Sequence, residues 1–161
     1  MKTIYATSYN IFKASLEMTK IDDSNIEEAN TAIIEIMGEQ DLLFFPFYFK
    51  RDHPNVLRLL FDDVDERLDI KLFGEPEDER EYIPVVPMSE SQGLQIVDFL
   101  IKNAEKKQFI VHCAAGVSRS GAIASFIREY FNEDEDLFNR KNPYIKPNIR
   151  ILSILRNLSK K

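Results

Sequence analysis

The chain has 161 residues, 44% of them hydrophobic and 30% charged, with a net charge of −6 at pH 7. That is the size and composition of one globular domain with a full core, and the acidic balance argues against a general nucleic-acid binder. A single cysteine excludes an internal disulfide and a CxxC redox pair, and two histidines with one cysteine give no metal-ligand spacing.

The charge is unevenly spread. Asp62 to Glu81 holds ten acidic and three basic residues, about −7, whereas Arg140 to Lys161 holds seven basic and no acidic ones, about +7. The polar, interrupted stretch from Met1 to Thr19 lacks a secretory pattern. The longest apolar run, Leu42 to Phe49, contains Pro46 and is too short to span a bilayer. A free thiol suits a reducing compartment, so a cytoplasmic setting is expected. With no repeat, linker or low-complexity tract, residues 1–161 are expected to form one domain.

In chain order, Thr3-Ile4-Tyr5-Ala6 predicts a strand, and Asn10 a cap for a short helix through Leu16. Ile21 to Asn30 is polar and reads as loop or a short helix. Thr31 to Ile36 predicts a strand ended by Gly38. In Met37 to Arg51, Phe44, Phe45, Phe47, Tyr48 and Phe49 cluster around Pro46. The favoured reading is a core strand with an edge proline; the alternative is an aromatic wall at a site mouth or a partner patch. Lys50 to Pro54 reads as loop, with His53 an ordinary surface residue. Val56 to Phe61 predicts a buried strand followed directly by Asp62 and Asp63. Residues 65 to 73 predict a short helix stopped by Gly74. Glu75 to Glu81 reads as a solvated loop, and Tyr82 to Pro87 as a short edge strand. Ser89-x-x-Gln92 is a capping-box pattern. It opens a helix whose core face is predicted to be Leu94, Val97, Leu100, Ile101 and Ala104. Asn142-Pro143 marks a turn. Pro147 to Leu158 carries Ile151, Leu152, Ile154, Leu155 and Leu158 at helical spacing and predicts a closing helix.

The stretch Phe109 to Ser125, F-I-V-H-C-A-A-G-V-S-R-S-G-A-I-A-S, carries the chemistry. An apolar run predicts a buried strand, and Ala122 to Ile127 has helical composition. Between them, Cys113 ends the strand and Arg119 follows six positions on. The backbone amides of Ala114, Ala115, Gly116, Val117 and Ser118 can form an anion nest, extended by the first turn of the helix. Arg119 offers a planar fork for two phosphate oxygens. The same positive field favours a thiolate at Cys113, a nucleophile aimed at a cradled phosphorus.

His112-Cys113-x5-Arg119-Ser120 resembles the signature of cysteine-dependent protein tyrosine phosphatases, and the Ser118-Arg119-Ser120 ending looks most like their compact dual-specificity branch. The resemblance implies a phosphotyrosine protein phosphatase-like α/β fold, with the cysteine loop at the sheet's carboxyl edge. The alternation of strands and helices independently predicts a central, mostly parallel twisted sheet of four to five strands with helices on both faces. The resemblance further implies a phosphocysteine intermediate on Cys113 and a Ser120 hydroxyl that helps the thiolate leave. It gives His112 a bracing role and requires an aspartate general acid after the upstream strand. Register favours Asp63 for that acid, with Asp62 the alternative. The span from Asp63 to Cys113 exceeds that of compact family members, with 74 to 87 as the insertion.

No cofactor or metal is expected. With no lysine between Cys113 and Arg119, nothing adds charge for a polyphosphorylated inositol ring. The expected partner is a phosphorylated protein or peptide, phosphotyrosine first, then phosphoserine or phosphothreonine. Two other functions share the pattern: a non-catalytic phosphate-binding module of the same fold, and another thiolate enzyme such as a sulfurtransferase or arsenate reductase.

Overall fold

Runs of β-branched and apolar residues form the strands of one sheet in the computed structural model, which describes residues 1–64 and 85–160. These are β1 (Thr3–Ser8), β2 (Thr31–Met37), β3 (Val56–Leu60) and β4 (Gln108–Cys113). The sheet order is β1-β4-β2-β3, and every neighbouring pair is parallel. All seven residues of β2 are buried, as an inner strand covered on both faces requires.

Among the described residues, five α-helices cover the two faces: α1 (Tyr9–Thr19), α2 (Glu90–Lys102), α3 (Arg119–Tyr130), α4 (Glu135–Lys141) and α5 (Ile149–Ser159). On one face Ile4, Ile34, Ile36, Phe109 and Val111 pack against residues of α2 to α5, including Ile96, Ile123, Phe126, Phe138 and Leu155. On the other face Ile33 and Val56 pack against Phe12 and Leu16 of α1, with Ile26 and Phe49. The fold is therefore α/β, a parallel sheet with helices on both faces. No helix among the described residues is long and apolar enough to cross a membrane.

The capping box at Ser89 forms as predicted: its hydroxyl accepts from the Gln92 amide, and the Gln92 side chain returns to the Ser89 amide. The buried stripe of α2 differs from expectation. Gly93, Ile96, Phe99 and Leu100 face the core, while Leu94 and Ile101 are exposed. The phase is set where α2 meets α5, with Gly93 lying close against the side chains of Leu158, Ile154 and Leu155. Helix α1 starts earlier than predicted, because Ser8 rather than Asn10 is the cap and accepts from the Ile11 amide. Helix α4, unpredicted, is capped by Asp134 on the Leu137 amide.

Two further expectations fail. Residues 44 to 49 do not form a core strand. Pro46 lacks a donor, and the amides of Tyr48 and Phe49 are taken by the buried Glu35 carboxylate at 2.8 and 3.2 Å, so they cannot join a ladder. His53 is not a surface residue: its side chain is 3% exposed, held between Asp23 at 2.8 Å and Glu27 at 3.4 Å. The expected helix at 65 to 73 and loop at 75 to 81 lie outside the described residues, as do residues 82 to 84 of the expected edge strand, and its described part, residues 85 to 87, is not strand.

Candidate active site

Parallel strands all end at the same edge, so β1, β2, β3 and β4 deliver the segments after Ser8, Met37, Leu60 and Cys113 to one place. Cys113 ends β4 with 2% exposure. Its Sγ accepts the Gly116 amide at 3.2 Å and shares a second hydrogen bond with Ser120 Oγ at 3.2 Å. The loop curls back over its own sulfur before α3 begins.

Only glycine fits at the crown of that curl. Gly116 has φ +77°, and a Cβ there would lie 2.3 Å from the Ser8 amide nitrogen and 2.4 Å from the Thr7 carbonyl carbon. The loop thus rests backbone to backbone on the β1–α1 junction. Three of its carbonyls face the scaffold: Ala114 O accepts from the Tyr9 amide, Val117 O from the Lys146 amide, and Ser118 O from the Asn148 amide. In a planar trans peptide the next N–H points the opposite way, which turns the amides of Ala115, Ser118 and Arg119 away from the scaffold. Ser118 stands at the cap position of α3, but its side chain makes no capping bond, so the first-turn amides keep their free donors. This arrangement can bind an anion beside the sulfur.

Arg119 opens α3 and is 8% exposed. Its Nη1 donates to Asp41 Oδ2 at 2.9 Å and to Phe61 O at 3.0 Å. Asp41 lies in the turn after β2 and is itself fixed by the Gly38 amide at 2.8 Å. The guanidinium is therefore held from two strand ends.

The two aspartates after β3 part company. Asp62 turns to the return segment, accepting the Val86 amide at 2.8 Å and donating its own amide to Val86 O at 2.7 Å. Asp63 turns to the cysteine loop: its Oδ1 accepts Ser118 Oγ–H at 2.8 Å and Asn148 Nδ2–H at 2.7 Å. The structure brings Asp63 to the loop by this contact and engages Asp62 elsewhere.

His112 is fully buried, one residue before the sulfur. Its Nε2 bonds Glu35 Oε1 at 2.8 Å, and its ring stacks on Phe12 at 4.1 Å. Burial, with the charges of Glu35 and Glu17, pushes the neighbouring Tyr9 phenol above its ordinary pKa, so Tyr9 stays neutral. Glu35 thus joins His112 to the amides of Tyr48 and Phe49. Glu35→Ala would leave the buried His112 ring and Phe49 amide, and the half-buried Tyr48 amide, without their partner and is expected to lower the unfolding free energy by about 3–5 kcal/mol. Equilibrium denaturation checks this, and a loss below about 1 kcal/mol would mean that the tie is idle.

Sequence reasoning missed Glu35, Asp41 and Asn148. Signals existed: Glu35 is the lone charge in T-A-I-I-E-I-M, Asp41 follows Gly38 at a strand end, and Asn148 precedes the apolar spacing of α5.

No family model matches this chain, and no curated protein does. Among solved structures, the crystal structure of PTPMT1 in complex with PI(5)P aligns over 89% of this chain and 84% of that chain, with a TM-score of 0.45 and 19% sequence identity.

Proposed function

We propose that this chain is a cysteine-dependent phosphoric monoester hydrolase acting on phosphoproteins, with phosphotyrosine its first substrate and phosphoserine or phosphothreonine next. The observation that carries the reading is the sulfur cluster. Cys113 Sγ lies at a strand end, bonded to the Gly116 amide and Ser120 Oγ, in a loop whose Ala114, Val117 and Ser118 carbonyls bond to the surrounding scaffold. The resemblance of His112 to Ser120 to the protein tyrosine phosphatase signature supports it.

In the first step the Cys113 thiolate forms an S–P bond, and the bond from phosphorus to the leaving oxygen breaks with its pair on that oxygen. Asp63 gives the leaving oxygen a proton. The loop amides of residues 114 to 118 and the Arg119 fork meet the charge on the equatorial oxygens. In the second step water attacks phosphorus while Asp63 takes its proton. The S–P pair returns to sulfur, where the Ser120 hydroxyl stabilises the departing thiolate. His112 braces the strand end through Glu35. The absence of lysine between Cys113 and Arg119 favours a singly phosphorylated side chain over a polyphosphorylated ring.

Acid quench of the enzyme during turnover of labelled p-nitrophenyl phosphate tests the reading. The expected result is phosphate bound covalently to Cys113, with vanadate as a competitive inhibitor. Turnover without a labelled cysteine, or transfer of sulfur from thiosulfate to cyanide, would remove this mechanism. A panel of phosphotyrosine, phosphothreonine and phosphoinositide substrates ranks the classes.

A further inference from the structure

Asn148 sits at the cap of α5, 2% exposed, and every polar group it has is used. Its backbone amide donates to Ser118 O at 3.1 Å. Its Oδ1 accepts from the Ile151 amide at 3.0 Å, which is the capping bond. Its Nδ2 donates to Asp63 Oδ1 at 2.7 Å and to Val64 O at 3.0 Å.

Capping alone explains the oxygen and not the nitrogen. Serine and aspartate cap as well as asparagine does and threonine somewhat less well, and none offers a side-chain NH2 beside its acceptor. The neighbouring cap shows the same diversion: Ser118, at the start of α3, sends its hydroxyl to Asp63 Oδ1 instead of to its own helix. Two residues at helix starts therefore donate to one oxygen of one carboxylate.

We infer that Asn148 is a positioning residue that, with Ser118, fixes the Asp63 carboxyl against the cysteine loop and confines its transferable proton to Oδ2. An oxygen that accepts from both Ser118 and Asn148 acts as the acceptor of the carboxyl group, which leaves Oδ2 to carry and deliver the proton. The same side chain holds Val64 O, so the turn after β3 is tied to α5 and α3 together. This inference rests on the reading of Asp63 as general acid.

The test is Asn148→Ser, which keeps a good cap and removes both Nδ2 bonds. With phenyl phosphate, whose leaving oxygen needs a proton, kcat is expected to fall roughly tenfold or more, with KM little changed. With 2,4-dinitrophenyl phosphate, whose anion leaves unaided, kcat/KM, which covers only the steps up to the phosphocysteine, is expected to hold, and the two substrates are compared on kcat/KM. In the Asp63→Asn background the same change is expected to cost nothing further on phenyl phosphate, because both act through one proton transfer. Asn148→Thr, which can also cap and has no side-chain NH2, is expected to repeat the selective loss should the serine variant fold poorly. Equal losses on the two substrates, or an additive loss in the Asp63→Asn background, would reduce Asn148 to a structural cap. Two controls separate the levels. If Asp63→Asn is leaving-group selective and Asn148→Ser is not, the inference alone falls. If Cys113→Ser retains turnover, the hydrolase reading falls and takes the inference with it.

Discussion

Cys113→Ser is expected to cut turnover of an aryl phosphate by about 10⁴-fold or more while leaving the fold and phosphate binding intact. The exchange is nearly isosteric. The partners of the sulfur, the Gly116 amide and Ser120 Oγ, can serve a hydroxyl equally well, so the loop keeps its shape. The chemistry does not survive. An alcohol holds its proton at neutral pH far more firmly than a thiol, and no described base lies within hydrogen-bond reach of that atom to take it. Paired assays of initial rate and vanadate binding check this. Loss of both together would indicate a collapsed loop, and a rate within tenfold of the parent would mean that the sulfur is not the nucleophile.

Arg119→Lys is expected to cost about 10³-fold in kcat/KM although the charge is retained. The guanidinium uses Nη1 for Asp41 and Phe61 O, and its remaining donors can face phosphate in the same plane. An ammonium is a point donor on a flexible stem. It can meet Asp41 or a phosphate oxygen, and it cannot span both with fixed orientation. The deficit should appear with good and poor leaving groups alike, because the equatorial oxygens are the same in each. A lysine variant that keeps more than a tenth of the parent's kcat/KM would show that the fork geometry is not used.

The parts of the site that lie close in sequence were readable from it. Residues 109 to 120 hold strand, loop and helix start in one run, and both the curl over the sulfur and the start of α3 follow from local residue types. Asp63, at the end of another strand, was also placed, but the partners that hold the site from elsewhere in the chain were not. Glu35, Asp41 and Asn148 meet the loop only because the order β1-β4-β2-β3 sets those strand ends side by side, and Asn148 comes from the last helix. The aromatic segment misled for the same reason. Its composition favours a strand, but its amides answer to a carboxylate thirteen positions upstream, at Glu35. His53 reads as exposed beside Lys50, Arg51 and Asp52, and is buried by Asp23 and Glu27 from an earlier turn. In α2 the apolar residues could be grouped on either of two overlapping stripes, and contact with α5 chose between them.

The seat of Gly116 on the Thr7–Ser8 backbone limits how this protein could be redesigned. A main-chain contact offers no side chain to trim in compensation, so position 116 is closed to every other amino acid. Ala115 is exposed and Val117 half-buried, and neither side chain has a hydrogen-bonding role in the site, so they are open places in the rim. Altered selectivity, whether by natural drift or in a directed library, would have to be written at 115 and 117 and in the neighbouring loops, with the crown held constant.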